Sequence, residues 1–353
     1  MSLDPARAAV RLGVRRVLAD LPGDADQPGA APVLVACSGG ADSLALLAAT
    51  VFELARRPQR VVGVVVDHGL QDDSADHTAR VVAQMAALGA DETVGARVVV
   101  EGGGRGVEAA AREARYAVLG QVADSFGASL VLLGHTLDDQ AETALLGLTH
   151  GSGGRSIAGM RPAFDRFRRP LLDVRRAQTE AACAADGLEP WADPHNADPR
   201  FTRSRVRHTV LPLLEAELGP GVAETLARTA AQLRPDMEAL DALAEDALAD
   251  QRDHPDQPDQ PDHRGDDGAG LDVRRLTTLH AAIRTRVLRL AAVEAGCPPG
   301  ELFAVHVDAL EEQVHNTTHL PRTVQLPGHV DAVRAGHHLR FARRASQESP
   351  AGR

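Results

Sequence analysis

The chain has 353 residues, too many for one ordinary domain and about right for two. Hydrophobic residues make up 44% and charged residues 25%, a globular composition long enough to bury a core without a disulfide or metal staple. Aromatics are only 3%, which argues against a single-strand binder built on stacked rings. All 38 basic residues are arginine, so a lysine Schiff base, a pyridoxal-phosphate lysine and a Walker lysine are excluded. Cys37, Cys183 and Cys297 are far apart and form no C-x-x-C, which disfavours a disulfide framework and a zinc site and fits a reducing cytoplasm. Apolar runs such as 61–66 are too short to span a membrane, and the N-terminal arginines precede no apolar signal segment.

The net charge of −11 is unevenly distributed. Between Asp241 and Asp267 ten acids face two arginines, whereas Gly151 to His208 holds eleven arginines and seven acids. A second basic stretch, Pro321 to Arg344, has five arginines and one acid. The basic stretches suit an anionic polymer despite the overall charge.

In chain order, a helix is expected over about 4–20. It is followed by buried, β-branched strands at 33–37, 61–66, 96–100 and 129–133 with helical patterns between them. This is an α/β pattern: an N-terminal doubly wound parallel sheet, Rossmann-like, over residues 1–172. From about 175 to 249 the segments are Ala/Leu-rich and helical, punctuated by Pro212, Gly219–Pro220 and Pro235, giving a helical domain over 173–250. Residues 251–270 have no apolar period and read as an acidic disordered linker. Residues 271–344 read as a small α+β region, with helices at 276–295 and 300–314 and a meander of strands at 322–326, 330–334 and 338–342. Residues 345–353 read as a disordered tail.

Ser38-Gly39-Gly40-Ala41-Asp42-Ser43 directly follows the first strand and opens a helix. Glycines let the backbone approach a ligand, and the helix start presents free N–H groups, an anion site. Without a Walker lysine, such a loop suits a leaving pyrophosphate. The six residues match the S-G-G-x-D-S signature of the PP-loop ATP pyrophosphatases, which cleave ATP to AMP and pyrophosphate.

Gly134-His135-Thr136-Leu137-Asp138-Asp139-Gln140-Ala141-Glu142-Thr143 follows the fourth strand. At helical spacing His135, Asp138/Asp139 and Glu142 share one face. The carboxyl edge of a parallel sheet directs that face toward the phosphate loop's crevice. Glu108, Arg112 and Arg115 share a face of another helix. Asp67-His68 ends the second strand, where an adenine or ribose would lie.

Together these four segments resemble the tRNA(Ile)-lysidine synthetase family. The resemblance continues through Thr149–Arg155, Gly159-Met160, Arg169-Pro170-Leu171-Leu172, Trp191–Asn196 and Arg203-Ser204-Arg205-Val206-Arg207-His208, covering about residues 30–215. The family usually has Asn where this chain has Ser204.

The resemblance implies ATP-dependent ligation of free L-lysine to the wobble cytidine of isoleucine tRNA with a CAU anticodon. It implies ATP contacts from Ser38, Gly39, Gly40, Ala41, Asp42, Ser43, Asp67, His68, Gly134 and His135, with Mg2+ near Asp42. Asp42, Arg115, Asp139 and Glu142 are the implied catalytic residues. His135, Asp139 and Glu142 are the implied lysine contacts, and Arg203, Arg205 and Arg207 the implied tRNA contacts. The residues leave open a tRNA thiolase of the same superfamily, for which only Cys37 lies near the loop. A small-molecule ligase and a non-catalytic nucleotide-binding regulator are the remaining alternatives.

Overall fold

The computed structural model describes residues 4–19, 21, 30–67, 74–98, 107–149, 153–193, 197–253, 270–316 and 322–344. The chain divides into two compact units, residues 1–147 with 159–231, and residues 148–158 with 232–353.

The first unit opens with α1 (Pro5–Ala19), followed by β1 (Val33–Ala36), α2 (Ala41–Leu54), β2 (Val61–Asp67), α3 (Ser74–Ala87) and β3 (Glu92–Arg97). It continues with α4 (Val107–Phe126), β4 (Leu130–Leu133) and α5 (Leu137–Thr149). After α6 (Gly154–Ile157), which belongs to the second unit, the first unit resumes with β5 (Ala163–Phe164) and β6 (Phe167–Arg168). The sheet order is β3-β2-β1-β4-β6-β5, parallel except for the β5–β6 hairpin. All four residues of β1 and of β4 are buried, as befits central strands covered on both faces. One core joins α1, α2 and the sheet through Val10, Val14, Leu44 and Val35, and the opposite face buries Leu119 and Ala123 of α4 against Leu34 and Val131.

β3 corrects the expected strand at 96–100: it starts at Glu92 and ends at Arg97. It is the edge strand and only half-buried, so its sequence lacks the continuous apolar run that marks its neighbours.

The expected boundary after residue 172 is not where the compact units divide. α7 (Arg176–Ala185) packs on α1 and α2, with Ala182 and Cys183 inside the same core. α8 (Thr202–Arg205), a π turn (Val206–Val210) and α9 (Leu211–Leu218) also belong to the first unit.

α10 (Val222–Asp253) is 32 residues long and contains Pro235, expected to punctuate the segment. A proline interrupts one rung of the helical ladder and costs about 3 kcal/mol. Burial of Ala227, Ala230, Ala244 and Leu248 along the helix offsets that cost.

The second unit adds β7 (Leu271–Asp272), α11 (Val273–Thr278), α12 (Ala281–Glu294), α13 (Ala304–His315), β8 (Arg322–Leu326), β9 (Val330–Ala335) and β10 (His338–Arg343). Its antiparallel sheet runs β7-β10-β9-β8, around a core of Leu276, Leu288, Leu310, Val330 and Leu339. The helix expected over 276–295 is broken in two at Leu279–His280, where the His280 side chain caps α12 by accepting from the Ala282 N–H.

The linker expected at 251–270 begins too early. Gln251 is buried within α10, and its side-chain Oε1 accepts from the Asp272 backbone N–H at 3.0 Å. Residues 254–269 and the tail from 345 lie outside the described residues.

Candidate active site

β1 delivers the phosphate loop. Gly39 adopts φ +81°, where a Cβ would sit 2.7 Å from Val81 Cγ2, so both conformation and space require glycine. Gly40 is the N-cap of α2 and leaves the first helical N–H groups open. The Ser43 hydroxyl accepts from the Ser38 N–H at 3.1 Å and donates to the Gly40 carbonyl at 2.9 Å, stitching the loop shut. At the end of β4, Gly134 lets the neighbouring loop approach closely: a Cβ there would lie 3.2 Å from the Asp42 carbonyl.

A second tether holds the loop from outside. Trp191 N–H donates to the Gly39 carbonyl at 2.9 Å, and the Trp191 ring lies 3.8 Å from that of His77. His77 Nε2 is 3.1 Å from the Ser38 carbonyl.

A cleft of about 760 Å³ opens over this edge of the sheet. Ser38, Gly40, Ala41, Asp42 and Ser43 line one side. Arg115, Gly134, His135, Asp139 and Arg207 line another, with Arg176 and Trp191. The structure therefore brings most of the sequence-predicted residues into one cleft. Asp67 is not among its lining residues; it is buried at the end of β2, where Ser74 Oγ donates to it at 3.4 Å and Arg97 lies 4.0 Å away. His68 and the Glu108 side chain lie outside the described residues.

The acidic face of α5 is already occupied by arginines. Asp139 accepts from the Thr136 N–H at 2.8 Å, from Arg176 at 2.9 Å and from Arg207 at 3.0 Å. Glu142 accepts from Arg203 Nε at 2.9 Å and Arg207 Nε at 2.7 Å, and its side chain is fully buried. Arg176 also reaches Glu142 at 3.4 Å and Asp42 at 3.6 Å.

Three carboxylates thus share three guanidinium groups. Only Asp139 of the α5 pair lines the large cleft; Glu142 lines a separate pocket of about 130 Å³ with Asp138, Arg175 and Arg176. Asp138 turns away from the cleft and accepts from the Arg176 backbone N–H at 2.7 Å. Arg203 and Arg207, four residues apart, both reach Glu142, and a π turn begins between them at Val206.

Burial works against ionisation of Asp139, but Arg176, Arg203 and the Thr136 N–H more than offset it, holding the carboxyl below its ordinary value. Burial dominates at Asp42 and lifts it to about 6, even though Thr179 Oγ1 donates to it and Arg176 is near. His135 is pushed down to about 3, chiefly by burial and then by the charges of Arg169, Arg115 and Arg112 against the pull of Asp139. His135 precedes α5 rather than lying on it, and its Nδ1 accepts from Arg169 Nε at 3.2 Å. Arg115 is half-buried, its guanidinium lowered by burial.

Of the predicted tRNA contacts, Arg203 and Arg207 are committed to Asp139 and Glu142. Arg205 is exposed, and among the described residues it donates to neutral oxygens, the Pro199 and Arg200 carbonyls and the Thr202 hydroxyl. Arg176, Thr179 and Arg169 have no role assigned from the sequence, although Arg169 lies in a segment that carries the resemblance. The dense arginines of 151–208 were the available signal for Arg176 and Arg169, but His135 and Glu142, which they reach in the site, are each 34 residues away in the chain.

The sheet, the S-G-G-A-D-S loop and the cleft define an ATP-using PP-loop enzyme, and residues 14–214 match the PP-loop domain family. Residues 271–340 match the TilS substrate binding domain. The tRNA(Ile)-lysidine synthase of Thermobifida fusca is 51% identical over 88% of this chain and 90% of its own length. That of Streptomyces coelicolor is 46% identical over 96% of this chain and 99% of its own. The chain belongs to the tRNA(Ile)-lysidine synthase family. The U34-tRNA thiolase NcsA from Methanococcus maripaludis, solved with its 4Fe-4S cluster, covers 64% of this chain and 80% of its own at 17% identity and a TM-score of 0.50, a likeness of fold alone.

The cysteines do not favour a thiolase. Cys37 is buried at 2% exposure with its thiol raised by burial, and burial lifts Cys183 to about 12. Neither is a ready thiolate. Replacing Cys37, Cys183 and Cys297 together with alanine is expected to cost about 1 kcal/mol each in stability and to leave product formation intact, as measured by urea unfolding and a tRNA modification assay.

Proposed function

We propose that the chain ligates L-lysine to C2 of the wobble cytidine of isoleucine tRNA bearing a CAU anticodon, consuming ATP and releasing AMP and pyrophosphate. The observation that carries this reading is the single cleft in which the phosphate loop, Arg115 and Asp139 meet. The cytosine carbonyl oxygen attacks the α-phosphate of ATP, and pyrophosphate leaves into the N–H groups of the Ser38–Ser43 loop. The ε-amine of lysine then displaces AMP from the activated carbon. That amine attacks only when uncharged, so a carboxylate or phosphate takes its proton.

Arg115 lines the cleft together with His135 and Gly134 and stabilises charge on the transferring phosphate. Asp139, the member of the α5 pair that reaches the cleft, holds the lysine ammonium. Glu142 fixes Arg176, Arg203 and Arg207 from behind and so sets the charge that Asp139 presents.

Mg2+ fits Asp42. Its carboxyl is incompletely compensated where it stands, and a single carboxylate beside substrate phosphates is a usual Mg2+ donor set. Bound there, Mg2+ would neutralise charge on the triphosphate.

Among the described residues no helix is long and apolar enough to cross a membrane. The substrates place the reaction in the cytoplasm.

Pyrophosphate release tests this reading. It is expected only when tRNA is present, with turnover requiring lysine and Mg2+ as well. Equal release without tRNA would overturn it. Arg205, the exposed arginine, is the proposed phosphate contact of its group. Arg205→Ala should reduce the magnitude of the log–log salt slope of tRNA binding by about 1. Arg203→Ala should instead disturb the acid cluster and leave that slope in place.

A further inference from the structure

Arg169 occupies an unusual position for a buried cation. It is 7% exposed, and the partners of its guanidinium are neutral: the Arg161 carbonyl, the Tyr116 hydroxyl at 3.1 Å and His135 Nδ1 at 3.2 Å. Its Cζ lies 4.7 Å from the centre of the Phe164 ring, and Phe164 stacks on Phe167 at 5.0 Å. Tyr116 closes the edge of this pair with ring-centre distances of 5.6 and 5.2 Å. The β5–β6 hairpin and α4 thus hold the guanidinium in one orientation. No acid pairs with it among the described residues, so its placement is not explained by a salt bridge.

A guanidinium can only donate. Whatever ring nitrogen it reaches must be unprotonated, which leaves the proton of a neutral imidazole on the other nitrogen. We propose that Arg169 is a positioning residue that locks His135 as the Nε2–H tautomer, so that this cleft residue serves as a fixed hydrogen-bond donor and not as a proton acceptor.

The groups facing His135 are Arg169, Arg115 and Arg112, all cationic, and Asp139. The cations oppose a positive ring, and burial does the same. Donor behaviour is therefore retained across the pH range in which an ordinary histidine titrates. The assignment of a donor to the reaction rests on the proposed function, since a donor here would face the nucleotide or the adenylate; the tautomer itself does not.

The test is ring-nitrogen NMR of the full-length 15N-histidine-labelled protein, with the His135 signals identified by their loss in His135→Gln. In the wild type, Nδ1 should be unprotonated and Nε2 protonated between about pH 5 and 8. Arg169→Met should release the ring into a mixture of tautomers, lower kcat about tenfold and add a limb to the pH–rate profile. Arg169→Lys, which restores a donor, should recover part of both. A wild-type ring that titrates near the ordinary value of about 6.5, or carries its proton on Nδ1, overturns the proposal even if the variants do not fold. An Arg169→Met protein with unchanged His135 signals overturns it equally. A locked tautomer in a protein that makes no lysidine would instead refute the functional reading and leave the lock standing.

Discussion

Replacing Asp42 with asparagine is expected to stabilise the protein above pH 6 while sharply reducing formation of AMP. Asp42 sits in the first turn of α2, behind the Gly40 cap, where Thr179 donates to it and Arg176 stands 3.6 Å away. Its folded value of about 6 lies above the ordinary 3.8. The linkage sign follows: the group favours the folded state below the unfolded value, and that contribution is lost as pH rises through about 6.

Ionised Asp42 therefore costs the ligand-free fold about 3 kcal/mol at high pH, given roughly 1.4 kcal/mol per unit. Asparagine keeps the acceptor for Thr179 and removes the charge, so urea unfolding at pH 8 should show a gain of roughly 2–3 kcal/mol that vanishes near pH 4. The same variant loses the proposed Mg2+ donor, and AMP production should fall at least about a hundredfold. A variant no more stable at pH 8 than at pH 4, relative to wild type, would contradict the burial of this carboxylate. Wild-type AMP production would remove it from the chemistry.

The second large effect concerns Glu142. Its carboxylate is fully buried and receives donors from Arg176, Arg203 and Arg207. Removing one partner of a buried ionic network leaves charge uncompensated and costs about 3–5 kcal/mol. Glu142→Gln is expected at the low end of that range, with lysine use strongly impaired because Asp139 is left to share three guanidinium groups. Adding Arg203→Met to it should restore part of the stability by removing the excess cation, a non-additivity that a double-mutant cycle measures. A loss below about 0.5 kcal/mol for Glu142→Gln would mean that the network does not hold in solution.

The residues legible in the sequence were those whose chemistry is local. The phosphate loop is contiguous, and β1, which leads into it, and β4, which pairs with β1, advertise themselves as buried apolar runs. The spacing of Asp139 and Glu142 placed both on α5 but gave no view of what covers them, because Arg203 and Arg207 arrive from more than sixty residues away. β3 was misplaced since an edge strand exposes much of its surface and is not required to be apolar. Pro235 misled because a local rule about helix ends yields to burial along a helix of 32 residues. β7 is only two residues long and exists through its pairing with β10, a non-local cause with no local signature.

The central claim is that lysine ends on the wobble cytidine at the expense of one ATP. Incubating the protein with labelled lysine, ATP, Mg2+ and isoleucine tRNA transcripts, and digesting the product to nucleosides, measures it directly. The account predicts one labelled lysine per tRNA, matched by one AMP and one pyrophosphate, with none in a transcript whose wobble cytidine is replaced by uridine. AMP and pyrophosphate formed without lysine entering that nucleoside, or label entering the uridine transcript equally, would contradict it.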